Sequence, residues 1–98
     1  MATVATRIHE RRRELGLTLR ELASPGVSAS YLSRLEKGER MPSGKALRKL
    51  AAKLDVSVYW LETGQDDPAD ELAQIVLDHR GKPLPPRAQT LARAVLKR

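Results

Sequence analysis

The sequence predicts an all-α protein: a five-helix domain followed by one or two extra C-terminal helices. Three observations carry that reading. Apolar residues recur at i, i+3 and i+4 along most of the chain, residues able to cap a helix stand ahead of those stretches, and glycine or proline closes them. No stretch makes a convincing strand. With 98 residues there is room for one domain and a short appendage. Hydrophobic residues make up 41% of the chain but aromatic residues only 3%, with no Phe and a single Trp. The core must therefore be mostly Leu, Val, Ile and Ala, which suits small packed helices.

The first helix is expected over residues 3–15, with Val4, Ile8 and Leu15 in register and Gly16 closing it. Arg11, Arg12 and Arg13 fan out at 100° per residue, so at least one lies near the apolar stripe and needs a partner. Thr18 caps a second helix over 19–24, Glu21 completes a capping box, and Leu19, Leu22 and Ala23 form its apolar face. Pro25-Gly26 ends it. Ser28 caps a third helix over 29–37, which turns Leu32 and Leu35 inward and stops at Gly38. A loop over 38–42 leads to Ser43, the cap of a fourth helix over 44–54. Its stripe is Ala46, Leu47, Leu50, Ala51 and Leu54, while Lys45, Arg48, Lys49 and Lys53 cover the other face. Ser57 caps a fifth helix over 58–63, ended by Gly64, in which Trp60 and Leu61 plug the bottom of the core.

Residues 65–68 read as an acidic linker. A sixth helix over 69–79 carries Leu72, Ile75 and Val76 on one face, with Asp70 and Glu71 suited to its N-terminal dipole. Residues 81–86 break the chain, and a last helix over 87–96 runs through Ala88, Leu91, Ala92 and Val95. The expected division is a domain over 1–64 and a C-terminal extension over 65–98.

Residues 18–38 thus form two short helices around a tight turn, and the second opens on small polar residues that fit a DNA groove. That is a helix-turn-helix, and it makes DNA binding the leading expectation. Charge agrees with it. The net charge is +6, with twelve Lys and Arg against seven Asp and Glu through Gly64, and six against five beyond. The excess sits with the motif, as a phosphate-binding module requires. Other classes find little support. His9 and His79 stand isolated, no Ser/His/Asp order is present, and no metal or cofactor motif occurs, so no enzyme, metal or cofactor is expected. Without cysteine there are no disulfides, and no apolar run nears the ~20 residues of a membrane span. The N-terminus lacks a signal-peptide stretch, so a cytoplasmic location is expected.

Beyond these local signals, Arg12, Gly16, Leu17, Thr18, Glu21, Leu22, Ala23, Gly26, Val27, Ser28, Tyr31, Leu32, Ser33, Leu35, Glu36, Gly38, Pro42, Ser43, Leu50, Ala51, Val56, Ser57, Trp60, Leu61 and Gly64 form one spaced pattern. The pattern resembles the five-helix DNA-binding domain of the Cro/phage-repressor (Xre-type) helix-turn-helix family, over roughly residues 5–64. The resemblance implies a lambda-repressor-like bundle with the third helix in the major groove and the second crossing above it. It also implies an ion pair between Arg12 and Glu36. Two departures stand out. Leu19 occupies a position where relatives often carry a phosphate-binding glutamine, with Arg20 as a substitute. The turn Ser24-Pro25-Gly26 is one residue short and lacks an apolar turn residue.

Base contacts are expected from Ser28, Ala29, Ser30, Ser33 and Arg34. Ala29 can touch only a thymine methyl, and the serines read without strong preference. Arg34 has the fork that suits guanine O6 and N7, and it equally suits a phosphate. Phosphate contacts are expected from Thr18, Arg20, Tyr31, Lys37, Arg40, Ser43 and Lys45. Tyr31 has a second reading, in which its ring packs beside the second helix. Lys49, Lys53 and Arg48 read as a solvated face. Pairing into a homodimer is expected, either through Val58, Tyr59 and Leu61 or through Leu72, Ile75, Val76, Leu91 and Val95. The leading reading is a repressor on a palindromic operator. Alternatives are an antitoxin whose C-terminal third binds its toxin, and a protein-interaction module without DNA binding.

Overall fold

A computed structural model describes residues 2–97. Among them the helices are α1 (Val4–Glu14), α2 (Leu19–Leu22), α3 (Ala29–Glu36), α4 (Gly44–Leu54), α5 (Val58–Thr63), α6 (Pro68–Asp78) and α7 (Pro86–Leu96), with no strand. The fold is all-α. The chain divides into two compact units, one ending at Gln65 and the other starting at Asp66.

Every helix of the first unit opens on a hydroxyl that accepts a backbone amide three residues on: Thr3, Thr18, Ser28, Ser43 and Ser57. At α2 the box closes both ways, with the Thr18 amide donating to Glu21 Oε1 at 3.1 Å. Each such cap contributes ~1 kcal/mol. The apolar stripes then converge on one core of Ile8, Leu22, Val27, Leu32, Leu35, Ala46, Leu50, Ala51, Leu54 and Leu61. Helix α1 packs on α3, α4 and α5, while α2 packs on α3 and α4. Leu61 is fully buried, so it serves as the expected plug and cannot belong to a pairing surface.

The turn differs most from expectation. Helix α2 ends at Leu22 rather than at residue 24, and Ala23 is already extended at φ −61, ψ 151. The residue ahead of Pro25, Ser24, is pushed out of helical geometry, so the helix must end before it, and the chain then reverses at once. Ser24 and Val27 exchange backbone hydrogen bonds of 3.0 and 2.8 Å around Pro25-Gly26. Gly26 stands at φ +83, and proline followed by a positive-φ glycine suits a type II turn. The apolar turn residue is not missing. Val27 fills that role, at 1% exposure.

At the opposite end Arg7 is buried, and its guanidinium donates to the carbonyls of Leu61 (2.7 Å), Glu62 (2.8 Å) and Ala2 (3.1 Å). A Cβ at Gly64 would stand 3.2 Å from that guanidinium, in a backbone already at φ +77.

In the second unit, Asp67 caps α6 and Pro68 takes its first turn, so Asp67 is part of the helix start rather than of a linker. Helices α6 and α7 pack as a hairpin, tied by Arg87 Nε donating to Glu71 Oε1 at 2.7 Å. Ala88 and Leu91 are buried inside it. Leu91 is therefore an interior residue and not part of an outward pairing face. Leu72, Ile75 and Val95 are half-buried, and Val76, Leu77 and Leu96 are exposed. Among the described residues no helix is long and apolar enough to cross a membrane.

Candidate nucleic-acid interface

Helix α3 has two unlike sides. Leu32 and Leu35 are sealed in the core, while Ser28, Ser30, Arg34 and Lys37 are exposed. Ser30, Arg34 and Lys37 follow helical spacing, so they line one outer edge. Ala29, Tyr31 and Ser33 are half-buried beside it. Ser28 Oγ accepts the Tyr31 amide at 3.1 Å, which leaves the first-turn amides of Ala29 and Ser30 without helical acceptors. Those amides lend the helix start partial positive charge.

The expected phosphate contacts fall into groups. Tyr31, Ser43 and Lys45 meet at one shallow depression, together with Gly26, Val27, Ala46 and Lys49. The Arg40 guanidinium lies 5.8 Å above the Tyr31 ring, within cation–π range. Thr18 and Arg20 are exposed at the start of α2, where the capping box already uses the Thr18 amide. Leu19 is half-buried against the core, which accounts for a hydrophobe at that position.

A second depression is lined by His9, Leu19, Ser33, Glu36 and Lys37, and a charge network lies beneath it. Arg12 donates to Glu36 through Nε (2.7 Å) and Nη2 (3.0 Å), and through Nη1 to the Leu17 carbonyl (2.8 Å). His9 Nδ1 lies 2.6 Å from Glu36 Oε1. The Glu36 side chain is 8% exposed. Burial pushes its carboxyl up, but the hydrogen bonds from Arg12 and His9 outweigh that and hold it below the usual carboxylate range. Arg12 is raised in turn, mainly by its bond to Glu36. The network fastens α1 to the last turn of α3.

His9 is thus not isolated, and neither is His79, whose Nδ1 lies 2.9 Å from the Ile75 carbonyl. His9 was findable, since it stands one helical turn before Arg12. Lys49 and Lys53 do not form a merely solvated face. Lys49 Nζ donates to the Pro25 carbonyl, and Lys53 Nζ to those of Glu21 (3.2 Å) and Ala23 (2.6 Å). Nothing local in the sequence announces these contacts. Among the described residues, no three His, Cys, Asp or Glu side chains group as metal ligands.

The helix-turn-helix family matches residues 8–61, more than half of the chain. The chain belongs to that family. The matched segment runs from Ile8 to Leu61, the first and last residues of the bundle's buried core, and leaves α6 and α7 outside. The first unit has the all-α, lambda-repressor-like fold of that family. The chain is similar to the HTH-type transcriptional regulator DdrOP3 of Deinococcus deserti, 37% identical over 68 residues, which cover 68% of this chain and 53% of that protein. The chain therefore spans about half the length of that relative. It is also similar to the uncharacterized HTH-type transcriptional regulator y4dJ of Sinorhizobium fredii, 47% identical over 57 residues, covering 57% of this chain and 74% of that one. No solved structure matches the chain.

Proposed function

We propose that this helix-turn-helix protein binds a palindromic operator as a homodimer and represses transcription by occupying it. One observation carries the reading: α3 exposes Ser28, Ser30 and Arg34 along an edge whose opposite side is locked into the core. In this arrangement α3 enters the major groove. Arg34 reads guanine O6 and N7, Ala29 meets a thymine methyl, and Ser28, Ser30 and Ser33 complete the edge. Tyr31, Lys37, Arg40, Ser43 and Lys45, with Thr18 and Arg20 on α2, grip phosphates and fix the register without reading sequence.

Pairing is assigned to the hairpin, through Leu72, Ile75, Val76 and Val95. Alone, α6 and α7 bury only Ala88 and Leu91 and leave Val76, Leu77 and Leu96 in water. Apolar side chains shown together on so small a unit mark an interaction face. Val58 and Tyr59 on α5 are half-buried and form the competing surface. The exposed hairpin residues also favour one second reading, an antitoxin that covers them with its toxin. A small unrelated protein co-purifying from the native host is the result that would select it.

Selection of duplexes from a random pool tests the proposal. The expected product is an inverted repeat with half-site centres one helical turn, ~34 Å, apart. No enrichment, and no complex with any duplex at low salt, would overturn it. A single unrepeated site would overturn the dimer and spare the groove contact.

A further inference from the structure

We infer that Lys49 and Lys53 are positioning residues for DNA readout: from α4 they clamp the turn between α2 and α3 and so set the angle at which α3 is presented. The inference rests on the groove-binding reading of α3. Four residues of α2 are too few to hold themselves as a helix, since one turn is little more than a costly nucleus. Its internal ladder amounts to Leu22 donating to Thr18 and Ala23 donating to Leu19. The carbonyls of Glu21, Ala23 and Pro25 lie past that ladder, and each receives a lysine ammonium from α4.

The spacing is what makes a clamp. Lys49 and Lys53 are one helical turn apart, on the same side of α4. Lys53 holds the end of α2 by two carbonyls, and Lys49 holds the tip of the turn by one. Gly26 makes room for this, because a Cβ there would stand 3.3 Å from Lys49 Nζ. All three acceptors are carbonyl oxygens, so both cations are tied to the backbone of α2 and its turn.

The consequence for readout follows from who touches whom. Helix α3 packs chiefly on α1 and α2, and α4 carries the proposed phosphate anchors Ser43 and Lys45. Two elements bridge the base readers to these anchors, α1 and α2 with its turn, and the lysines act on the second. Lys49 itself lines the depression that holds Tyr31, Ser43 and Lys45. Loosening the clamp lets α3 tilt while removing none of the proposed phosphate-binding cations.

The test uses the full chain, the double variant Lys49→Met/Lys53→Met, and Lys53→Arg, which keeps hydrogen-bond donors. Affinities are measured across salt for a duplex recovered by the unsubstituted protein and for a scrambled one. The expected result for the double variant is a fall of about tenfold in the specific-to-scrambled ratio, the worth of a base contact, with the salt slope unchanged. Lys53→Arg is expected to keep the ratio. Equal losses on both duplexes with a slope shallower by about one per lysine would make them phosphate contacts and overturn the inference. An unchanged ratio would overturn it too. Amide hydrogen exchange supplies a readout free of DNA: the Ser24 and Val27 amides should exchange faster in the double variant, while those of Leu32 and Leu50 stay protected. Unaltered protection at the turn sinks the clamp whatever the duplexes do. If the unsubstituted protein binds no duplex, the groove-binding reading fails, and exchange alone decides the clamp.

Discussion

The bundle packs helices of 4 to 11 residues and the hairpin two of 11, and the two units have opposite habits. In the bundle, Ile8, Leu22, Leu32, Leu54 and Leu61 have no exposed surface at all. In the hairpin the best-covered residues are Ala88 and Leu91, at 4% and 7%, while Leu96 is 84% exposed. Their ion pairs differ in the same sense. Arg12–Glu36 has side chains 13% and 8% exposed, whereas Arg87–Glu71 stands at 63% and 34%. The unit that presents α3 carries its own core, and the appended unit leaves Val76, Leu77 and Leu96 exposed.

Paired substitutions sharpen that contrast. Glu36→Ala should lower the bundle's unfolding free energy by ~3–5 kcal/mol by stranding Arg12, whereas Glu71→Ala should cost under ~1 kcal/mol. Urea titration followed at Trp60, the single tryptophan and a bundle residue, measures the first, and urea-induced loss of helical circular dichroism measures the second. Equal costs would erase the distinction. The same pair gives an acid signature. Because Glu36 is held below its unfolded value, its contribution is complete above the ordinary carboxylate range and is lost as pH falls through the depressed folded value. Glu36→Gln should therefore flatten the acid limb of the stability curve.

Next in size, Leu50→Ala should cost the bundle ~2–5 kcal/mol, while Leu91→Ala leaves the Trp60 midpoint in place. A shifted midpoint in the second variant would show that the units unfold as one. Arg34→Ala should relax preference at a single base position by ~1–3 kcal/mol, read from selected duplexes. A uniform loss on all sequences would move Arg34 to the phosphates. Arg40→Gln should make the salt slope shallower by about one unit and leave base preference alone. A slope that does not move removes Arg40 from the interface. Smallest for stability, Val76→Ser, at the exposed position of the assigned pairing face, should shift the Trp60 midpoint by less than ~0.5 kcal/mol. The same variant should convert dimer to monomer in sedimentation, and a persisting dimer would redirect pairing to Val58 and Tyr59.

What the sequence made legible were local signals. Thr18, Ser28, Ser43 and Ser57 cap helices because a hydroxyl and an amide three residues on are neighbours in chain and in space alike. The inward residues Leu32, Leu35, Leu50 and Leu54 follow from helical period. Position 36 as the partner of Arg12 comes from the family pattern, since 24 residues separate them. Less legible was anything made by a long side chain reaching a distant carbonyl. Arg7 on Leu61, and Lys49 and Lys53 on the turn, span 54, 24 and 30 residues and leave no period to read. Leu91 looks on paper like an exposed stripe residue, and only packing shows it to be interior, while Leu61 carries two readings, core plug and pairing surface, of which packing selects the plug. The shortened turn misled for a related reason: counting residues hides that Val27 does the work of the residue thought absent.

The grip of Arg7 has a consequence for how this domain is built into proteins. A single guanidinium holds a carbonyl from the entrance of the bundle, at Ala2, and two from its exit, at Leu61 and Glu62. Entrance and exit thus lie side by side. A module whose ends meet is a cassette, and it can be joined to a tag, a tail or a host loop without prying its interior open.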